Sequence, residues 1–370
     1  MSLNCGIVGL PNVGKSTIFK AITAAPAEVA NYPFCTIEPN VGIVAVKDER
    51  LYKINKCMPS EKILPAITEF VDIAGLVKGA SKGEGLGNQF LGHIRQVNAI
   101  IHVVRCFENT DIVHVHGKID PISDIETINY ELALADLETV DKRLSNISKL
   151  LKSQDKEVVK KAKISIPVLE NLKNSLEQGK GARTLNLSAE ELDAIDDLHL
   201  ITLKPVLYAC NVDEDALVGG DNEFVKAVRG FAEKEGNQVI KICGKLESEI
   251  ALLETDEEKQ EFMKEAGIQE SGLDQLIHAA YKLLGLRTYF TAGPKEIRAW
   301  TFHDGMKAPQ AAGIIHSDFE KGFIRAEVYH CDDLFVLGTE VKCKEAGKIK
   351  SEGKEYVVRD GDVMFFKFNV

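Results

Sequence analysis

The chain has 370 residues, 45% of them hydrophobic and 27% charged, an ordinary globular composition long enough for two or three domains. Its 45 Lys and Arg against 56 Asp and Glu give a net charge of −11, an average that argues against a general polyanion binder. No long uncharged apolar run offers a transmembrane helix, and Met1 to Gly9 lacks a basic region followed by an apolar core, so a cytoplasmic protein with no membrane partner is expected.

Cys5–Val8 reads as a buried strand. Directly after it, Gly9-Leu10-Pro11-Asn12-Val13-Gly14-Lys15-Ser16 matches G-x-x-x-x-G-K-[ST], and Lys15–Ala25 reads as the helix it opens. Glycines let such a loop wrap phosphates with its backbone N–H groups, and the helix N-terminus adds positive potential. Asn12, Val13, Gly14, Lys15, Ser16 and Thr17 are therefore expected around a nucleotide. Lys15 would neutralise the β- and γ-phosphates and so take part in catalysis, and the Ser16 hydroxyl would ligate Mg²⁺. Thr36 in the next loop is a candidate second Mg²⁺ ligand when a γ-phosphate is present.

Thr68–Val71 and Ala99–Val104 are almost wholly apolar, as in a parallel sheet covered on both faces. Asp72-Ile73-Ala74-Gly75-Leu76 follows the first of them. Asp72 suits the Mg²⁺ shell through a water, and the Gly75 N–H suits the γ-phosphate. Gly79, Gly83, Gly85 and Gly87 then mark a nucleotide-responsive stretch. His114 and His116, beyond the second strand, share a strand face with no further metal ligands nearby.

From Asp124 to Leu203 the α/β pattern is interrupted. Ala133, Leu137, Val140, Leu144, Ile147 and Leu151 form a heptad-like seam, Ser153–Lys156 a turn, and Val159, Ala162, Ile166 and Leu169 a second helical seam. An antiparallel helical hairpin is expected, kinked or broken at Pro167. Ser188 with Glu191 has capping-box spacing. The sheet resumes with Lys204–Cys210 and Gln238–Cys243 around a helix at Asn222–Glu235. Asn211-Val212-Asp213-Glu214 falls where a base should sit. Guanine-specific proteins of this design carry Asn-Lys-x-Asp. With Val212 and Glu214 in place of the Lys and the Asp, ATP is expected over GTP, and Asn211, Val212 and Glu214 are candidate base contacts.

The tail reads as a small β-rich α+β module, with strands at Glu296–Phe302, Phe323–Tyr329, Val341–Lys342, Tyr356–Arg359 and Val363–Phe368 and a helix at Ala308–His316. Eight cysteines without a CxxC pair suit reduced thiols rather than a zinc or disulfide framework.

The loop 9–17, the segments 31–40 and 70–80, Asn211–Glu214 and the tail segment His316–Glu327, in this order, resemble the YchF / Obg-like ATPase family of the Obg-related P-loop branch. The resemblance implies an α/β P-loop G domain (1–123 and 204–283) interrupted by an antiparallel coiled-coil hairpin (124–203), then a TGS domain of β-grasp type (284–370). It also implies slow ATP hydrolysis, ribosome association, and a role in translation or stress regulation. Ras-like relatives orient water with a Gln where this chain has Leu76, so intrinsic turnover should be slow. Asn12 resembles the Asn through which some related GTPases hold K⁺, and His114 resembles a catalytic histidine of the family.

Two other readings stay open: an ATP-gated scaffold whose hydrolysis is incidental, and a GTPase with relaxed base selection. Residues 142–183 carry eleven Lys and Arg against four acidic residues, a charge of +7 that leaves −18 on the other 328. A monomer that binds ribosomal RNA through this basic arm is expected.

Overall fold

The computed structural model describes residues 3–24, 40–73, 86–109 and 118–369. Apolar runs form strands and amphipathic runs helices in the order β1 (Asn4–Val8), α1 (Lys15–Ala24), β2 (Val41–Val46), α2 (Glu49–Cys57), β3 (Lys62–Leu64), β4 (Ala66–Asp72), α3 (Leu86–Gln96) and β5 (Ala99–Arg105). Three helices follow: α4 (Pro121–Leu150), α5 (Lys156–Glu177) and α6 (Ala189–Ile195). The α/β alternation then resumes with β6 (Val206–Asn211), α7 (Glu214–Gly219), α8 (Glu223–Glu235), β7 (Gln238–Ile242), α9 (Gly244–Ala251), α10 (Asp256–Glu265) and α11 (Gly272–Leu283). The tail holds β8 (Leu286–Ala292), β9 (Glu296–His303), α12 (Ala308–Ile315), α13 (Ser317–Lys321), β10 (Phe323–His330), α14 (Cys331–Leu337), α15 (Glu340–Glu345), β11 (Lys350–Glu352) and β12 (Asp362–Phe368). Residues 1–42 with 69–276 form one compact unit, and 43–68 with 277–370 the other.

One sheet has the order β2-β4-β1-β5-β6-β7, with β1 parallel to β4 and β5, β5 to β6, and β6 to β7. Every residue of β5 and β6 is buried, as both-face helix cover requires. Parallel strands deliver their following loops to one edge, and the phosphate-type loop, Asp72 and Asn211 all stand there.

The buried strand β5 also carries His102, whose ring lies 5.5 Å from that of Tyr208. Burial, then the charge of Arg183, pushes its imidazole down to about 3. An unfolded histidine ionises near pH 6.5, so below that pH the unfolded chain holds a proton that the folded chain refuses. Stability then falls as the pH is lowered, by up to about 1.4 kcal/mol per pH unit from this residue. His102→Phe should remove that slope between about pH 6 and pH 4. The check is urea unfolding as a function of pH, where a slope equal to the wild type's contradicts the assignment.

Helices α4 and α5 form the expected antiparallel hairpin. Val140, Val168, Leu169, Leu172 and Leu176 are buried in its seam, with Leu137, Leu144 and Ile147 packed against them. Asp120 and Asp155 cap the two helices, and Ser188 with Glu191 closes a capping box on α6. Pro167 does not break α5, which runs on to Glu177 with Pro167 on its exposed side. Buried Asp136 ties the returning chain to α4 by accepting from the Ile201 and Thr202 N–H groups and the Thr202 hydroxyl at 2.7–2.9 Å.

The basic arm is more neutral than its sequence suggested. Lys142, Arg143, Lys160, Lys161 and Lys173 pair with Glu138, Asp197, Glu190, Asp193 and Asp141, all of them acids outside 142–183. Arg183 turns inward and donates to the Lys204 carbonyl. Among the described residues, exposed Lys149, Lys152, Lys156 and Lys163 have no ion pair, and the first three flank the turn between α4 and α5.

The second unit is a mixed sheet of order β11-β10-β12-β8-β9-β3. One face is covered by α12 and α13 over Tyr289, Phe302, Val328, Met364 and Phe366. Helix α2 and β3 pack within this unit. β3 joins β9 in parallel, Arg50 pairs with Asp360 at 2.7 Å, and its guanidinium lies 5.2 Å from the Phe290 ring.

Two expected strands are corrected. Val341–Lys342 lies in helix α15, capped by the Thr339 hydroxyl, with Val341 66% exposed where a strand would have buried it. Tyr356–Arg359 makes one isolated bridge, Lys307 to Val357, because the Asp362 carboxylate holds the Tyr356 hydroxyl and the Arg359 N–H. The edge strand is β11 instead.

Candidate nucleotide site

The loop after β1 takes its shape from two glycines. A Cβ on Gly9 would lie 2.8 Å from the Val103 carbonyl oxygen. Gly14 has φ of +95°, and a Cβ there would lie 2.1 Å from Asn211 Nδ2. Asn12 also occupies the left-handed region, at φ 64°, which asparagine tolerates better than most residues. The chain then enters α1 with Lys15 buried and Ser16 and Thr17 exposed to the cavity.

The pairing of Ile7 with Asp72 brings the end of β4 beside this loop. There Lys15 Nζ donates to Asp72 Oδ1 at 2.9 Å. From the other side, buried Asn211 uses both ends of its amide. Nδ2 donates to the Val13 carbonyl at 2.8 Å, and Oδ1 accepts from the Gly244 N–H at 3.0 Å. Asn211 thus welds the loop to the start of α9, a bracing role beyond the expected base contact.

Asp213 caps α7 by accepting from the Ala216 N–H at 2.9 Å. Glu214 accepts from Lys245 Nζ at 2.9 Å, and Val212 is buried beside it. These elements enclose a cavity of about 1260 Å³. One end is the loop with Lys15, Ser16 and Thr17. The other is Val212–Asp215 with Gly244, Lys245 and exposed Leu252.

Sequence reasoning missed three contributors. Cys243-Gly244-Lys245 lines the end opposite the loop. Phe107–Asn109 forms a wall, held by buried Arg105, which donates to the Phe107 and Asn109 carbonyls at 3.3 and 3.0 Å and covers the Phe107 ring. An arginine ending a strand whose other polar residue is His102 was the available signal. Thr36, Gly75, Leu76 and His114 lie outside the described residues.

The oxygen donors Ser16 and Asp72 suit a hard divalent cation, and the Asp72 carboxylate already engages a cation in Lys15. Elsewhere among the described residues, His330, Cys331 and Asp332 bring possible metal-ligand atoms together. The His330 ring nitrogens are committed to the Asp332 N–H and to the Asp360 carbonyl, and burial pushes the Cys331 thiol up to about 12. That group does not fit a metal. The seven described cysteines are free thiols.

Comparison with known proteins agrees with this architecture. The family model described as "50S ribosome-binding GTPase" matches residues 4–163, and the YchF-GTPase_C model, described as "Protein of unknown function (DUF933)", matches 286–369. A Bacillus subtilis protein named "Ribosome-binding ATPase YchF" is 59% identical over 100% of both chains. An Escherichia coli O157:H7 protein of the same name is 55% identical, again over 100% of both. The structure of the Schizosaccharomyces pombe YchF GTPase superposes with a TM-score of 0.88 at 40% identity, over 99% of this chain and 98% of that one.

Proposed function

The chain belongs to the YchF family, and we propose that it is a Mg²⁺-dependent P-loop ATPase acting as a slow nucleotide switch on the ribosome, with a role in translation or the stress response. The observation that carries this reading is the part-buried Lys15–Asp72 pair at the mouth of the loop. Lys15 is poised to exchange a carboxylate oxygen for phosphate oxygens, a swap of like partners that costs little. The same exchange releases Asp72 toward the metal. The Ser16 hydroxyl and the Asp72 carboxylate, through water, are its proposed ligands, joined by Thr36 from the following loop. Bound Mg²⁺ supplies charge neutralisation along the phosphate chain. The backbone N–H groups of Val13, Gly14, Lys15, Ser16 and Thr17 position the phosphates, and that of Gly75 meets the γ-phosphate. Leu76 has no group to orient water, so slow turnover follows. His114, or a K⁺ ion held through Asn12, is the proposed aid.

Selectivity for adenine rests on Glu214. A carboxylate aimed at the base favours guanine N1–H and N2–H₂ and repels adenine N1. In this chain Lys245 engages that carboxylate and withdraws it from the base. Lys245→Met should therefore lower the ratio of ATP to GTP affinity, by at most about fivefold, the upper end for one exposed ion pair. Calorimetric titration of both nucleotides checks this, and an unchanged ratio removes Lys245 from base selection. Tighter GTP binding by the wild type would instead favour the relaxed GTPase reading.

The hairpin 124–203 is proposed as an arm carried by the nucleotide domain 1–123 and 204–283, with 284–370 as the TGS domain. The arm's contact with ribosomal RNA is assigned to its tip, Lys149, Lys152 and Lys156, where the cations lack acidic partners. The protein is proposed to act as a cytoplasmic monomer.

A further inference from the structure

The wall of the nucleotide cavity carries a carboxylate that the mechanism above does not use. Glu108 is an exposed residue of the lining, between Phe107 and Asn109. Its backbone is pinned on both sides. Buried Arg105 donates to the Phe107 carbonyl at 3.3 Å and to the Asn109 carbonyl at 3.0 Å. Just before them, the Cys106 N–H donates to the Asn211 carbonyl, and the Cys106 carbonyl accepts from Asn222 Nδ2, both at 2.8 Å. Glu108 therefore stands on a fixed support.

Sheet order locates this wall along the cavity. The strands run β1-β5-β6-β7, and parallel strands send their following loops to one edge. The loop after β5 lies between the phosphate-type loop after β1 and Val212–Asp215 after β6. Among the described residues, the Glu108 carboxylate has no hydrogen-bond or ion-pair partner. On the same lining, Asp213 accepts from the Ala216 N–H, and Glu214 and Glu249 pair with Lys245. An unpaired carboxylate repels an anionic ligand unless that ligand brings it hydrogen-bond donors. Midway along a nucleotide, between phosphates and base, the donors are the ribose hydroxyls.

We propose that Glu108 selects the sugar: its carboxylate accepts from the ribose hydroxyls, so the chain takes ribonucleotides in preference to deoxyribonucleotides. This rests on the reading of the cavity as a nucleotide site, with phosphates at Lys15 and the base at Val212–Glu214. A vicinal diol offers two donors, and a carboxylate has an acceptor oxygen for each.

The test is calorimetric titration of the full chain, in Mg²⁺, with ATP, 2′-deoxy-ATP, 3′-deoxy-ATP and purine riboside triphosphate, which keeps the ribose but lacks the adenine amine. The wild type should bind ATP about tenfold more tightly than at least one deoxy analogue. Glu108→Ala should bring that ratio to about one, by weakening ATP and leaving the deoxy analogue bound no less tightly. A residue that merely supported the loop would weaken every ligand alike. Glu108→Asp should keep part of the preference, and because Glu108 is exposed both variants should unfold at the wild-type temperature. A ratio near one in the wild type, or an unchanged ratio in Glu108→Ala, overturns the proposal alone. So does a loss in Glu108→Ala of discrimination between ATP and purine riboside triphosphate with the deoxy ratios intact, which assigns Glu108 to the base. A wild type that binds none of the four overturns the nucleotide reading and the proposal together.

Discussion

Lys15→Ala should lower ATP affinity by about a hundredfold or more and reduce turnover to background, because it removes charge-assisted hydrogen bonds of about 1.5–3 kcal/mol each from the phosphates. The folded chain should survive the change. The substitution strips Asp72 of its lysine, but that carboxylate is 22% exposed and can be hydrated. It stands at the end of a strand beside an open cavity, not in the core. Calorimetry with ATP, together with thermal unfolding, separates the two effects. Retained ATP affinity in a folded variant would place the phosphates elsewhere.

Asn211→Ala should damage both stability and binding. Its amide is 5% exposed and satisfies the Val13 carbonyl on one side and the Gly244 N–H on the other. Truncation leaves two buried backbone groups without partners, at about 1–3 kcal/mol each. The Val13 carbonyl then has no tether, and the loop loses the wall against which Gly14 packs. A loss of about 2–4 kcal/mol in urea unfolding is expected, with ATP affinity down at least about tenfold. A variant as stable as the wild type would show that Asn211 does not brace the loop.

Much of the nucleotide end was legible because its determinants are local. The strand, glycine spacing and Lys-Ser of residues 5–16 are one contiguous run, and sheet pairing then set Asp72 beside Lys15. The hairpin seam was legible for the same reason, since helical periodicity fixes which residues face inward. What escaped depends on contacts between distant segments. Nothing near Lys245 announces that it will meet Glu214, 31 residues earlier. Arg105 looked like the end of a strand until its guanidinium was seen holding two carbonyls of the cavity wall. Helix α2 and β3 meet the tail through Arg50 and β9, with partners more than 200 residues away.

The charge of the hairpin is the same lesson in electrostatics. Its excess of +7 was counted along the chain, whereas Glu190, Asp193 and Asp197 return in space to cancel part of it. Val341 misled in the opposite sense, because a β-branched residue suggested a strand where the Thr339 cap starts a helix.

The most direct test of the central claim is the steady-state rate of Mg²⁺-dependent ATP hydrolysis by the full chain, with and without ribosomes, beside Lys15→Ala. The account predicts a slow basal rate that ribosomes raise and that Lys15→Ala abolishes. A rate in the wild type no greater than in Lys15→Ala, with or without ribosomes, would contradict it.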